Sequence, residues 1–172
     1  MKDSLRNGRR SDPPDAAEAR RASLRRLLRR HYADGPFSWL FTMLGIFWAA
    51  PVTLFGLLLA LPVYAWRGHA QLVHGRTPAL LVRGPLADVL LGHHPFGAMT
   101  AMALGHVVIS ESQGLSARVL AHELAHVRQA ARWGIVFPVA YLVSSAWAAI
   151  CGRDAYWHNH FEVAARKAEK HI

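Results

Sequence analysis

Long apolar runs and charged stretches succeed one another along the chain. Residues 1–34 are polar and basic, the 30 residues from Phe37 to Trp66 carry no charge, a mixed stretch follows, and residues 133–152 are again uncharged. About 20 apolar residues suffice to cross a bilayer, and a soluble helix is rarely apolar on every side over such a length, so residues 35–66 are expected to form a membrane segment. Pro51 in its middle leaves two arrangements open: one span kinked at the proline, or a hairpin whose arms meet near Ala49, Ala50 and Pro51. Trp39 and Trp66 lie near its ends, where amphipathic rings favour the interface.

Residues 67–172 are expected to form a domain of short elements. TPALLVRG and PLADVLLG are apolar runs bounded by Pro and Gly, and the first reads as a strand. In MALGHVVIS the β-branched Val107, Val108 and Ile109 follow a glycine and predict a second strand. LGHHPFGAMTAM reads as a loop leading into a short helix or strand. Ser116 can cap a helix over 117–132 with Gly134 as its stop, and NHFEVAARKAEK predicts another helix from Asn159 onward.

The first helix carries LAHELAHVRQ, in which His122 and His126 stand four apart. On a helix they project from one face a turn apart, so both imidazoles can reach one ion, with Glu123 beside it. Zn2+ suits such nitrogen and oxygen ligands with one position left open; it polarises water, and Glu123 would accept the proton as general base. The metzincin continuation is absent, because Gln129 and Arg132 stand where its glycine and third histidine would be. Glu162 is the third ligand expected here, although Asn159 and Glu162 also have the spacing of a capping box. Asp154, His158 and His160 are alternatives. If His158 or His160 closed the site as a fourth ligand, the protein would be a non-catalytic zinc-binding membrane scaffold.

The second apolar run bears on this geometry. A straight crossing by residues 133–152 would leave Glu162 across the bilayer from His122 and His126. The run is therefore expected to lie in the interface, to bend back at Pro138 or Ser144-Ser145, to pack on the first apolar segment, or to be an unusually apolar core helix.

Composition narrows the partners. Cys151 is the only cysteine, which excludes a disulfide framework and any multi-thiolate metal site. The net charge of +9 would suggest nucleic acid, but 10 of the 20 Lys and Arg precede Asp34, in a tail whose one aromatic of Phe, Trp and Tyr is Tyr32 and which carries no recognition motif. Residues 1–34 read as a partly disordered tail ending in a short basic amphipathic helix around Leu24, Leu27 and Leu28, attracted to anionic lipid and holding the N-terminus in the cytoplasm. Membrane lipid is an expected partner and nucleic acid is not.

GHVVIS, AHELAHVRQ and NHFEVAARKAE together resemble the gluzincin metallopeptidases in minimal form, including membrane-linked bacterial members, over roughly residues 100–170. The resemblance implies an α+β, zincin-like domain that hydrolyses peptide or protein substrates, with His122, His126 and Glu162 as zinc ligands and Glu123 as general base. It also implies that the strand before the motif helix is the edge along which substrate lies, which would give Gly105, His106, Val107 and Val108 a substrate-binding role. Tyr156, His158 and His160 are candidates for stabilising the oxyanion. The acid that several such families carry four residues after the glutamate ligand is here Arg166.

Overall fold

A computed structural model describes residues 38–74, 77–93 and 97–170. The basic tail and its expected amphipathic helix lie outside them. The apolar segment forms two helices, α1 (Ser38–Trp48) and α2 (Ala50–Ala65), bent by 67° at the break between them. Pro51 explains the break, since it has no N–H with which to continue the hydrogen-bond ladder of α1. A bend of this size is that of a broken span or of a re-entrant loop.

The remainder is mixed α+β. The strands β1 (His69–Val73), β2 (Ala79–Arg83), β3 (Ala101–Leu104) and β4 (Val107–Ser110) form one sheet in the order β1-β2-β4-β3. β2 and β4 are parallel, while β1 pairs antiparallel with β2 and β3 with β4. PLADVLLG is a helix, α3 (Pro85–Gly92), its proline at the first turn where a missing N–H costs nothing. Asp88 on α3 pins the loop after β4 by accepting from the N–H and hydroxyl of Ser112, at 2.7 and 2.6 Å.

Strand alternation sends side chains to two cores. Leu81, Ala101 and Val108 meet Leu120, Leu124 and Val127 of α4 (Ala117–Trp133) on one face. On the other, Val82, Val107 and Ile109 meet Ala60 and Val63 of α2 and Leu91 of α3. One row of α2, Val52, Gly56, Ala60 and Val63, is buried in this way. Its opposite row, Leu54, Phe55, Leu58 and Leu61, is exposed. The boundary expected at Trp66 therefore separates no packing units, because α2 is itself a layer of the domain. Gly105 makes this contact close: its φ is +59°, and a Cβ there would lie 2.6 Å from the backbone nitrogen of Thr53.

The motif helix α4 begins as expected, with Ser116 accepting from the Val119 N–H. It passes through a 3-10 turn (Gly134–Val136) into α5 (Phe137–Ile150), and Ala117–Ile150 together is long and apolar enough to cross a membrane, but it is not straight: Gly134, at φ +57° and ψ −135°, breaks the helix, and the rings of His126 and Tyr141, fifteen residues apart, come within 6.3 Å. Neither Pro138 nor Ser144-Ser145 bends it. Only 17% of its apolar window is buried, so α5 is not a core helix. Phe137, Tyr141, Ser144, Ser145 and Ala148 face inward, whereas Val139, Leu142, Val143 and Trp147 are exposed. The chain turns at residues 151–158, and α6 (His160–Glu169) runs back along α5 and α4.

Candidate metal centre

α4 and α6 bring three side chains together. His122, His126 and Glu162 each offer a ligand atom within 4.8 Å of the others, and the cluster can hold a metal ion. Glu162 is 2% exposed and His126 is 8% exposed. The Nε2 atoms of the two histidines are 3.1 Å apart, His122 Nε2 lies 3.2 Å from Glu162 Oε2, and His126 Nε2 lies 3.2 Å from Oε1.

The partners on the far sides of the rings fix the chemistry. His122 Nδ1 donates to Glu169 Oε1 at 2.7 Å, and a carboxylate can only accept. His126 Nδ1 donates to Gln129 Oε1 at 2.8 Å, and the Gln129 amide is oriented because its Nε2 donates to the Phe161 carbonyl at 2.9 Å. Both imidazoles thus carry their proton on Nδ1 when neutral, which leaves each Nε2 as a bare lone pair. Two such nitrogens face two carboxylate oxygens, and Glu162 Oε2 has no aligned donor. The cluster needs a cation at its centre, either a proton on a ring or a metal ion. Burial alone would push the Glu162 carboxyl up, but His122 and His126, when a ring is protonated and donates to it, outweigh burial with help from the Tyr141 hydroxyl and hold the group well below the usual carboxylate range.

Glu162 is not a capping-box residue. Asn159 does cap α6, accepting from the Phe161 N–H at 2.8 Å, but the Asn159 N–H goes to the Tyr156 carbonyl rather than to Glu162. Asp154 accepts from the N–H groups of Tyr156 and Trp157, and neither it nor His158 or His160 joins the cluster. Among the described residues no fourth ligand closes the site.

Glu123 follows His122 and is 6% exposed. Burial raises its carboxyl above the ordinary range against the pull of His126 and His122, and the Ala103 N–H reaches it. That contact corrects the expected substrate edge. β4 is paired on both sides, and the backbone near His106 is engaged internally: its carbonyl accepts from Leu80 N–H at 2.7 Å and its own N–H donates to Thr53 Oγ1 at 3.1 Å. Gly105, His106, Val107 and Val108 therefore offer no free edge. The edge strand beside the cluster is β3, which ends the strand order and turns its Ala103 N–H to Glu123, and its sequence reads only as an undecided short helix or strand.

Tyr141 is the residue that sequence reading missed. Its hydroxyl donates to Glu162 Oε1 at 2.8 Å, and its ring stacks on Phe161 at 6.2 Å. Of the three expected oxyanion candidates only Tyr156 approaches the cluster; burial and the Glu162 carboxylate push its phenol up to about 12. His158 and His160 are exposed. Arg166 lies 3.8 Å from Glu162 Oε2 and is held by the Trp157 carbonyl and the Trp157 ring, 4.4 Å to the centroid. Comparison with family models, curated proteins and solved structures returns no match.

Proposed function

We propose that the protein is a membrane-associated zinc metallopeptidase of gluzincin type, built on a zincin-like α+β domain. One observation carries the reading: proton-free atoms of His122, His126 and Glu162 converge beside a buried Glu123 that is hydrogen-bonded to an open strand edge. Ligands about 2.0–2.1 Å from a tetrahedral zinc are about 3.3 Å apart, close to the 3.1–3.2 Å spacings here. Zinc held there would polarise both a water molecule and a peptide carbonyl.

The chain's own groups supply the rest. Glu123, less acidic than an ordinary carboxyl, takes a proton from the attacking water and passes it to the leaving amine. Tyr141 and Tyr156 both remain protonated donors at neutral pH and are the groups to stabilise the oxyanion. A peptide substrate aligns on β3. The exposed apolar faces of α1, α2 and α5 support burial against lipid, and the basic tail supports a cytoplasmic N-terminus.

The test is Glu123→Gln, purified in detergent beside wild type, with metal analysis and casein digestion. Metal should be retained and hydrolysis should fall at least a hundredfold, since the amide keeps the shape but accepts no proton. Metal-loaded wild type that cleaves nothing would instead favour the scaffold reading.

A further inference from the structure

The position of the metal centre relative to α5 bears on its substrate. Tyr141 lies within the charge-free run between Arg132 and Arg153, and its hydroxyl is bonded to the ligand Glu162. The ligand helix is tied to the same inner row of α5 at two further points: Asn159 Nδ2 donates to Ser145 Oγ at 2.8 Å, and the His160 N–H donates to Ser144 Oγ at 2.9 Å. The metal ligands thus stand level with the middle of the apolar run. The outer row at that level, Val139, Leu142 and Val143, is 59–62% exposed. Lipid covering that row comes within one helix diameter, about 10 Å, of the cluster.

The strand edge has a similar border. β3 runs beside α2, where Gly56 touches Leu104, and the outer row of α2 is apolar and exposed. Lys167 on α6 and Lys170 at its C-cap are exposed and require water on their side. Lipid along α2 and α5 with water beyond α6 places the cleft at a bilayer surface. We infer that the site takes its polypeptide from the membrane plane: the substrate class is a membrane-held or juxtamembrane segment, not a free soluble peptide. The inference rests on the metallopeptidase reading for its chemistry and on α2 and α5 for its depth.

Two measurements test it. In full-length protein with Cys151→Ser, reconstituted in phosphatidylcholine/phosphatidylglycerol vesicles, nitroxide labels go singly at Leu142, Leu58 and the β1 residue Gln71. Labels at Leu142 on α5 and Leu58 on α2 should be relaxed more by oxygen than by a water-soluble nickel chelate, and Gln71 the reverse. A casein-derived sequence cut by wild type is then compared free and fused beside a single membrane-spanning helix, with at least a tenfold preference expected for the fused form. Equal cleavage, or labels at Leu142 and Leu58 as nickel-accessible as Gln71, overturns the inference and leaves the enzyme reading standing. No cleavage of casein or of either form, with metal bound, removes both.

Discussion

At the scale of single residues the two histidines were legible because helical spacing alone puts them on one face, but the partners that make them ligands were not. Gln129 sits three residues after His126 and Glu169 seven after Glu162, spacings that share a face in any helix and single out nothing. Only the packing of α6 on α4 shows that Glu169 occupies the side of His122 away from the cluster. Glu169→Ala should therefore weaken metal binding about 10–100-fold while leaving the ligands in place, read by competition with a fluorescent chelator. His122→Ala, His126→Ala and Glu162→Ala should each lose most of the metal on elemental analysis, whereas Asp154→Ala should keep it. Full retention by Glu162→Ala would end the proposed ligand set.

At the scale of elements, hydropathy identified the apolar helices without saying what each face touches. Val63 and Leu61 read alike in a sequence, yet one is fully buried against the sheet and the other is 62% exposed. The eight residues of α3 are too few for periodicity to separate helix from strand. β1 carries HAQLV, exposed at four of its five positions, so no alternating signal marks it. Gly134 was legible as the stop of α4, but its other role depends on tertiary contact. It has φ +57°, and a Cβ would fall 2.1–2.4 Å from the Trp48 indole. Gly134→Ala should cost on the order of 1–3 kcal/mol through backbone strain and overpacking. Gly92→Ala, with nothing within 4 Å, should be near neutral. Thermal unfolding of both variants in one detergent decides between a local and a packing role.

Across the whole molecule, the sequence argument that Glu162 must return to the side of His122 and His126 is met by the break at Gly134, which brings Tyr141 back beside His126, together with the turn at residues 151–158 that lays α6 along α5. Ser116, at the start of α4, and Ala168, near the end of α6, then lie on one side of any bilayer. Single cysteines at these positions in a Cys151→Ser background should be labelled together or protected together by an impermeant thiol reagent in intact cells. Labelling that separates them would be incompatible with a shared metal site. Membrane attachment should also survive molar salt, because it relies on apolar area as well as on the screened charge of the tail. The hydrogen bonds from α5 to α6 carry a practical consequence for purification. A detergent that prises α5 away removes the support of Glu162 while leaving the α4 motif and the sheet folded. Such a sample would look monodisperse and helical by size and circular dichroism. Its metal-to-protein ratio would fall below one and serve as a gauge of how many molecules retain a docked α5.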